Sequence, residues 1–500
     1  MKKRLLCIIV IFVVAGMFTG CTEKKEIERK GISVAVLDNN IIPVEEGTYE
    51  SNRWTQYIDN ASGVNVTWVP IPRYETVSRY NMLAASNELP DLITEFDRVF
   101  FSSFIQRDLL MPLDEVIEQY APNYRKYMEE NSELKDFITY DAQTYLLTSK
   151  RSRDEILNYG AWIRKDWLDK LGLEVPKSVA ELLQVARAFR DNDPDGNGVN
   201  DTIAIVMAHW QEAMPYLYQA GGQWYDENGT LKYGHTLDRY GEAFRFMKTA
   251  YDEGLLDKDL ITDRNWTIQK ELWETGRAGI FIGRYSTEWN RELLTNHNEA
   301  KPVPMAELRT EYGLCSFYKE PLPNLYTGFN KNMKYPEEGM KFIDWMISDG
   351  WFTLKFGEGG IHYRMIDGIP KVIDSQRRAQ ESYGSAYILV SQWQIDPAWY
   401  PRMAADDRIS QILAEEDIIT LEENEKVPYR RDIEVDPMIP KVVDTLNEFQ
   451  PLRDEIRIRM IVGGAGYSIE QGMVDIRKAW ESVGGLEAEQ LMNDWYRNNR

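Results

Sequence analysis

The chain has few cysteines, and their positions exclude a disulfide-stapled fold. Its 500 residues contain three: Cys7, Cys21 and Cys315. Cys7 lies inside an N-terminal apolar run and Cys21 directly follows it, so only Cys315 belongs to the body of the chain. Stability must therefore come from a buried core, and we expect Cys315, which has apolar neighbours, to be part of that core.

Positive charge is also scarce. The chain has 58 Lys and Arg against 80 Asp and Glu, which gives a formal net charge of −22. Proteins that bind nucleic acid neutralise phosphates with a basic surface. We therefore expect no nucleic-acid partner, and the charge mildly disfavours an anionic ligand.

Sequence motifs for catalysis are absent. The four histidines lack the spacing of a zinc enzyme, and there is no nucleophile elbow, phosphate loop or dinucleotide fingerprint. The sequence therefore predicts a protein that is not an enzyme. One enzymatic alternative stays open, a lipid-anchored glycan hydrolase or lyase, because 80 acidic residues provide carboxylate pairs by chance. An adhesion or signalling lipoprotein is a third alternative.

Only one long apolar run is present, at the N-terminus. It spans residues 5–18, follows Lys2-Lys3-Arg4, and is too short to cross a bilayer as a helix. The sequence Phe-Thr-Gly-Cys at 18–21 resembles a bacterial lipobox. That resemblance implies a signal peptide at 1–20, lipidation (palmitate among the acyl chains) at Cys21 and a tether at 21–31. The expected location is the extracellular face of the cell membrane, with membrane contact through the lipid alone.

The body of the chain begins with alternating strands and helices. Residues 32–37, 64–69 and 90–94 have strand patterns, and helical patterns around 52–59 and 76–86 separate them. This order predicts an α/β fold with a mostly parallel sheet. The later patterns predict strands at 202–207 and 278–282, a helix over 162–171 ending at Gly172, and helices at 238–253, 336–348, 439–449, 468–483 and 486–497.

One loop has the residues of a calcium site. Calcium prefers six to eight oxygen ligands from a loop bent by glycine. A register starting at Asp193 places oxygens at alternate positions and Gly198 at the turn, but Ala204 replaces the final glutamate. The expected ligands of a structural Ca²⁺ are Asp193, Asp195, Asn197, the Val199 carbonyl, Asp201 and Thr202. A second register starting at Asp191 is the alternative, and so is a plain polar turn. The helix before the loop has a capping-box pattern at Ser178 and Glu181.

Aromatic residues are abundant at 12%. Sugar sites combine flat aromatic faces with a few polar groups in a concave site, although a single tryptophan is more often part of a core. Ligands of parallel α/β sheets bind beyond the strand ends. The candidate ligand-binding residues are Glu95, Asp97, Trp210, Trp224, Arg284, Trp289, Trp393 and Trp399.

Several segments resemble one protein family. The runs 163–173 and 193–203, together with Asn-Glu-Leu-Pro-Asp-Leu-Ile at 87–93 and Phe-Gly-Glu-Gly-Gly-Ile-His-Tyr at 356–363, resemble the extracellular solute-binding lipoproteins of oligosaccharide ABC importers. The loop at 193–202 also resembles the calcium loop of alginate-binding proteins, except that Thr202 replaces an acidic residue.

The resemblance implies a type II periplasmic-binding-protein-like fold with two discontinuous α/β lobes, a cleft and a hinge. We expect 32–150 plus 277–335 to form lobe 1, and 151–276 plus 336–500 to form lobe 2. The implied function is binding of an extracellular solute, foremost an oligosaccharide, and its delivery by a monomer to the permease subunits of an ABC importer.

Overall fold

The computed structural model describes residues 30–263, 265–284 and 287–499. The expected signal peptide and lipidation at Cys21 lie outside these residues. Within the described part, no helix has the length and apolarity needed to span a bilayer. Cys315 is a free thiol and 3% exposed, as expected for a core residue.

The strands are short, and most belong to two larger sheets. They are β1 (Gly31–Asp38), β2 (Asn65–Pro72), β3 (Leu92–Glu95), β4 (Thr139–Tyr140), β5 (Gln143–Thr144), β6 (Leu146–Leu147), β7 (Tyr159–Arg164), β8 (Ile203–Met207), β9 (Trp224–Asp226), β10 (Leu231–Tyr233), β11 (Ala278–Arg284), β12 (Pro302–Pro304), β13 (Arg309–Thr310), β14 (Gly313–Leu314), β15 (Tyr326–Phe329), β16 (Tyr363–Ile366) and β17 (Ile369–Val372).

The helices surround these sheets. They are α1 (Arg53–Ser62), α2 (Thr76–Ser86), α3 (Arg98–Gln106), α4 (Asp114–Tyr120), α5 (Pro122–Glu130), α6 (Lys135–Ile138), α7 (Arg153–Ile156), α8 (Lys165–Leu171), α9 (Val179–Asp191), α10 (Trp210–Leu217), α11 (Asp238–Asp252), α12 (Thr267–Glu274), α13 (Thr287–Asn296), α14 (Pro336–Trp345), α15 (Trp351–Phe356), α16 (Ser375–Glu381), α17 (Tyr400–Met403), α18 (Arg408–Lys426), α19 (Pro440–Val462), α20 (Ile469–Ser482) and α21 (Gly485–Asn499).

Lobe 1 is built on a five-stranded sheet in the order β2-β1-β3-β15-β6. Strand β1 runs parallel to β2 and β3, whereas β15 runs antiparallel to β3 and β6. Residues 34–37 of β1 are all buried, which explains their unbroken apolar sequence. The predicted parallel arrangement is confirmed for β1–β3, and β15 adds one antiparallel strand from a distant part of the chain.

Lobe 2 is built on a four-stranded sheet in the order β12-β7-β11-β8. Strand β11 lies at its centre, parallel to β8 and antiparallel to β7. The core around this sheet includes Trp162, Trp167 and Phe189, each at most 2% exposed. The two sheets thus have separate hydrophobic cores, and each core defines a lobe.

Two antiparallel segments cross between the lobes as a hinge. The Arg151 amide donates to the Leu322 carbonyl at 2.8 Å, and the Asn324 amide donates to the Ser149 carbonyl at 2.8 Å. The Arg151 side chain is 5% exposed, and its Nε donates to the carbonyls of Pro321 and Pro323 at 3.1 and 3.0 Å. This buried guanidinium holds the two crossing segments together.

A third, smaller group of packed residues lies beside lobe 1, and we call it the satellite cluster. Its buried members are Phe356, Ile369, Trp393 and Met403. An ion-pair network ties it to lobe 1: Arg53 of α1 contacts both Glu46 and Glu381 at 2.6 Å. His362 is fully buried, with its Nε2 2.9 Å from Glu381.

The expected lobe boundaries differ from this arrangement in two places. Residues 277–317, expected in lobe 1, contain β11 and β12 and pack in lobe 2, because β11 pairs with β7 and β8. Most buried apolar side chains of residues 336–390, expected in lobe 2, pack in lobe 1, and Phe356 and Ile369 belong to the satellite cluster. The return crossing therefore falls at the hinge near 322, about 45 residues later than expected.

Local predictions around α8 and α9 were partly correct. Helix α8 ends at Gly172, which adopts the left-handed conformation at φ 66°. Residues 162–164, however, belong to the buried strand β7 rather than to a helix. The Ser178 hydroxyl caps α9 as expected by accepting from the Glu181 amide at 3.2 Å, but Glu181 accepts from Lys177 instead of Ser178.

Candidate functional site

The ends of parallel strands from both lobes face a common cleft. In lobe 1, β3 ends at Glu95, and Phe96 and Asp97 follow it. In lobe 2, β8 and β11 run parallel and end at Met207 and Arg284. Loops at the carboxyl ends of parallel strands carry ligand sites in open α/β sheets, so this cleft is the candidate site.

Glu95 is a buried carboxylate that lacks part of its hydrogen bonding. The side chain is 3% exposed. Its Oε1 accepts from the Phe96 amide at 2.7 Å and from Arg73 Nη1 at 3.4 Å. Its Oε2 is buried without a partner among the described residues. A buried oxygen of this kind is expected to accept a hydrogen bond, and a ligand hydroxyl would supply the donor.

Asp97 lies at the mouth of the cleft and caps helix α3. Its Oδ1 accepts from the Val99 amide at 2.8 Å. Solvent reaches the side chain, yet protein surrounds it, and the resulting loss of hydration raises the pKa of Asp97 to about 6. Asp97 is therefore largely ionised at pH 7, and its exposed side chain keeps contact with water.

Two arginines flank the phenyl ring between these acids. The guanidinium of Arg73 lies 4.7 Å from the centre of the Phe96 ring, and that of Arg151 lies 5.5 Å from it. Arg73 follows β2, and Arg151 is the hinge residue described above. Phe96 thus connects the strand ends of lobe 1 to the hinge.

Lobe 2 presents His209 and Trp266 to the cleft. The His209 ring lies 5.2 Å from the Trp266 ring and 6.0 Å from the Tyr159 ring. Both His209 and Trp266 have positive φ, at 55° and 58°, a strained conformation for bulky residues that clusters at functional sites. Nδ1 of His209 and Nε1 of Trp266 are buried without partners in the described part of the chain.

Cationic side chains of both lobes act on His209. Loss of hydration, and then the charges of Arg284 and Arg73, lower the pKa of His209 to about 4. Arg73 belongs to lobe 1, whereas His209 and Arg284 belong to lobe 2. At neutral pH the imidazole is uncharged, so it offers one donor and one acceptor to a ligand.

A cavity of about 220 Å³ lies at this junction. It joins the strand ends of lobe 1 to Arg284 of lobe 2, and Arg284 is exposed with no carboxylate bound to it among the described residues. Its lining also includes Thr94, Phe96, Arg151, Glu155, Asn324 and Lys355.

A larger cavity, of about 620 Å³, lies between the satellite cluster and lobe 2. We call it the lateral cavity. Trp393, which is 7% exposed, forms part of its wall, and Lys355 and Ser385 line both cavities. The lateral cavity is therefore an extension of the cleft.

Of the candidate ligand-binding residues, Arg284 lines the smaller cavity and Trp393 the lateral cavity, while Glu95 and Asp97 lie on either side of the cavity-lining residue Phe96. Trp210 and Trp224 line neither cavity, because they are 3% and 1% exposed in the core of lobe 2, against Phe244 and against Tyr233 and Trp480. These two assignments were wrong.

Two further tryptophans are half-buried. Trp289 packs on Phe281 at 5.3 Å, while Thr287, Glu288 and Arg291 on the opposite face of α13 line the lateral cavity. Trp399 packs against the satellite cluster and lines neither cavity. Sequence reasoning missed His209, Trp266 and Arg73, since only the backbone path brings them together.

The predicted calcium loop brings its carboxylates together. Asp193 accepts from the amides of Gly196 and Gly198 at 3.2 and 2.9 Å. The side-chain amide of Asn197 donates to both Asp195 and Asp201 at 3.0 Å. The hydroxyl of Thr202 is buried without a partner in the part of the chain that the structure describes.

The electrostatics of the loop also favour a cation. Loss of hydration and the Asp193 carboxylate raise the pKa of Asp195, while the pKa of Asp193 is lowered by its bond to Asp195. Two carboxylates so close share a proton unless a cation replaces it. The described side chains form no group of three His, Cys, Asp or Glu with the geometry of a metal site. The coordination shell of a bound calcium ion would therefore also need the amide oxygen of Asn197, the carbonyl oxygen of Val199 and the hydroxyl oxygen of Thr202.

Comparison with known proteins identifies one family. The family described as "Bacterial extracellular solute-binding protein" matches residues 47–351. The fructooligosaccharide ABC transporter substrate-binding protein FusA of Streptococcus pneumoniae serotype 4 is 26% identical over 266 residues, which cover 50% of this chain and 48% of FusA.

Two relatives from Bacillus subtilis are matched over more of their length. The polygalacturonan/rhamnogalacturonan-binding protein YtcQ is 25% identical over 72% of this chain and 74% of YtcQ. Lipoprotein LipO is 24% identical over 87% of each chain. The chain thus spans about half of FusA and most of YtcQ and LipO.

Solved structures confirm the fold. FusA in complex with kestose covers 94% of this chain and 100% of its own, with a TM-score of 0.73 and 18% identity. An EF-hand mutant of FusA gives a TM-score of 0.71. The alginate-binding protein AlgQ2, solved without calcium ion, covers 93% of this chain and 98% of its own, with a TM-score of 0.74 and 18% identity. The α/β, two-lobed fold implied by the sequence is therefore confirmed.

Proposed function

Because this chain belongs to the family of bacterial extracellular solute-binding proteins, we propose that it captures an oligosaccharide in its interlobe cleft and delivers it to an ABC importer. The partners would be the permease subunits of that importer, and the protein would act as a monomer. The relatives named above bind both neutral and acidic saccharides according to their names, so they leave the charge of the ligand open.

One observation carries this proposal: unpaired polar groups from both lobes converge at one cleft. Glu95 from lobe 1 and His209 from lobe 2 each bury an atom that lacks a partner among the described residues. Sugar hydroxyls donate and accept, so they would satisfy both. A ligand that contacts both lobes favours the closed state, because its affinity differs between open and closed forms.

We propose that the protein binds its oligosaccharide without cleaving it. Glycoside hydrolysis uses one carboxyl group as a proton donor and a second on the opposite side of the scissile bond. Of the acids at the cleft, Asp97 already caps α3, Glu95 accepts from a backbone amide and an arginine, and Glu155 accepts from the Ser152 amide at 3.2 Å. Carboxylates held by such contacts are suited to accept hydrogen bonds from a ligand rather than to donate a proton to it.

The test is a thermal-shift screen of the protein against a panel of oligosaccharides, followed by chromatography of the recovered sugar. A ligand at about 100 times its Kd stabilises the native state by about 2.7 kcal/mol. We expect a clear rise in Tm with at least one oligosaccharide, which is recovered unchanged. Shortened or unsaturated products would instead support the hydrolase or lyase alternative.

We also propose that lipidation of Cys21 holds the protein at the extracellular face of the cell membrane. The lipobox-like sequence before Cys21 and the name of the relative LipO support this. The intact mass of the mature protein should include a diacylglycerol group on Cys21, and Cys21→Ser should release the protein into the medium. An unmodified N-terminal cysteine on a membrane-bound protein would contradict lipidation.

The loop at 193–202 is proposed to hold a structural Ca²⁺. Its side chains fit the ion, because carboxylates already converge around one amide and the Thr202 hydroxyl lacks a partner in the described structure. Asp193, Asp195, Asn197, Asp201 and Thr202, with the Val199 carbonyl, would supply the oxygens, and the ion would connect α9 to β8.

We expect calcium to raise the Tm of chelator-treated protein and Asp195→Asn to abolish that rise. The substitution keeps the shape of the side chain but removes one of the charges that the ion would neutralise. Asp191→Asn is the matched control, since Asp191 pairs with Arg190 at 2.6 Å instead of joining the loop carboxylates. Loss of the calcium response in both variants would indicate the alternative register, which starts at Asp191 and also uses Asp195, whereas a response kept in Asp195→Asn would contradict calcium binding by this loop.

A further inference from the structure

The lateral cavity is large enough to hold part of a ligand. Its volume of about 620 Å³ falls within the usual range for small-molecule sites. Helix α16 and Trp393 form one side, and helices α13 and α18 of lobe 2 form the other. A group bound there would contact both lobe 2 and the satellite cluster, which is tied to lobe 1.

Arg378 of α16 is a cation in this cavity whose guanidinium makes no hydrogen bond to the described residues. The side chain is half-buried, and among the described residues it makes no hydrogen bond or ion pair. Its guanidinium lies 5.8 Å from the centre of the Phe356 ring. Loss of hydration lowers the pKa of Arg378, and the charge of Glu288, a side chain that is 61% exposed, opposes this effect only in part. A partly desolvated charge that is incompletely compensated is unfavourable.

Two further cations, Arg291 and Lys355, line the same cavity and add to its positive charge. Arg291 of α13 lies near Arg378, and the two positive charges repel each other. Nη1 of Arg291 donates to the Ser410 hydroxyl at 3.2 Å. Its Nε lies 3.5 Å from Glu288, a side chain that is 61% exposed. The Lys355 ammonium lies 5.1 Å from the Trp393 ring centre and 4.0 Å from Glu155. An anion between Arg291 and Arg378 would relieve their repulsion.

Two of the three acidic residues of the cavity, Asp154 and Asp417, lie at a different end from Arg378, whereas the third, Glu288, lies near Arg378 and Arg291. Asp154 and Asp417 also line a neighbouring pocket of about 200 Å³, together with Thr287 and Tyr400, and none of the three cations lines that pocket. Asp154 is hydrogen-bonded to Tyr400, and Asp417 to Thr287 at 3.4 Å. The cavity thus has an acidic, hydroxyl-rich end and a cationic end, which suits a sugar unit with hydroxyls on one side and a negative group on the other.

We propose that the lateral cavity binds an acidic sugar unit of the oligosaccharide, with Arg378 as the main contact of its carboxylate and Arg291 and Lys355 in support. This inference rests on the proposed function and adds the charge of the ligand to it. The net charge of −22 led us to expect that an anionic ligand is disfavoured. The proposal differs because the three cations of the cavity would lie beside the ligand, where their attraction outweighs the effect of the net charge. Since the carboxylate would lie between the satellite cluster and lobe 2, its binding would also favour closure.

The experiment compares trigalacturonate with its fully methyl-esterified form by calorimetry, since the two differ only in charge and the ester groups. We expect the wild-type protein to bind the acid about tenfold more tightly, as a charge-assisted hydrogen bond would provide. Arg378→Gln should lose that preference while keeping its affinity for the ester. Arg377→Gln is the matched control, because Arg377 pairs with Glu381 at 3.1 Å and does not line the cavity.

A measurement on the wild-type protein makes the test independent of how the variant folds. Raising the salt concentration should weaken binding of the acid and leave binding of the ester unchanged. Equal affinity for acid and ester, or equal losses of both in Arg378→Gln, would overturn the inference and leave the proposed function standing. If no oligosaccharide of the panel binds at all, both are overturned.

Discussion

Replacing Glu95 by glutamine is expected to lower oligosaccharide affinity roughly ten- to a hundredfold, because hydrogen bonds to a charged group contribute about 1.5–3 kcal/mol. The side chain is 3% exposed, and its Oε2 has no partner within the described structure. A ligand hydroxyl that fills this position would bond to a full negative charge in the wild type and to an amide in the variant. Calorimetry with a ligand from the panel measures the loss.

The control for this prediction is Glu88→Gln. Glu88 is an exposed residue of the same lobe and precedes β3, at the end of that strand away from the cleft. It should bind ligand like the wild type. Glutamine at 95 keeps an oxygen for the Phe96 amide, so we expect little change in Tm without ligand. Unchanged affinity in Glu95→Gln would exclude Glu95 as a ligand contact.

Replacing Gly283 by alanine is expected to destabilise lobe 2 by about 3 kcal/mol or more, because it combines backbone strain with overpacking. Gly283 has φ 145°, and a Cβ there would lie 1.9 Å from the Ala208 carbonyl oxygen. A backbone atom cannot move away as a flexible side chain would, so β8 and β11 would have to separate.

The same substitution should reduce ligand binding, since Gly283 and Ala208 directly precede Arg284 and His209. Urea denaturation and calorimetry measure the two effects. Gly466→Ala is the matched control: no atom lies within 4 Å of its added Cβ, and we expect a change below about 0.5 kcal/mol. Wild-type stability and affinity in Gly283→Ala would contradict the close approach of these two strand ends.

Much of the fold could be predicted where local sequence and tertiary structure agree. The strands at 32–37 and 64–69 alternate with helices in the order that a parallel sheet requires. The end of α8 at Gly172 follows from the conformational freedom of glycine. The converging loop at 193–201 could be predicted because its contacts are local in sequence.

The errors arose where distant contacts decide the structure. Residues 160–163 form a short apolar run that suits either a helix or a buried strand, and pairing with β11 selects the strand. The crossing near 322 is marked in the sequence only by Pro321 and Pro323, which are too few to form a proline-rich linker, so β11 was assigned to the wrong lobe.

The cleft shows the same dependence on the backbone path. His209 enters the cleft because the chain turns with φ 55° just before α10 begins, and this turn directs the next residue, Trp210, into the core. A one-residue difference in that turn decides which aromatic side chain meets a ligand. Hydrophobic periodicity alone carries no information about such a turn.

The central claim is that two lobes close on a solute, and small-angle X-ray scattering with and without ligand tests it most directly. We predict that the oligosaccharide giving the largest rise in Tm reduces the radius of gyration of the wild-type protein. Glu95→Gln at the same ligand concentration should stay closer to the ligand-free value. A ligand that raises Tm without any change in the scattering curve would contradict closure around the solute.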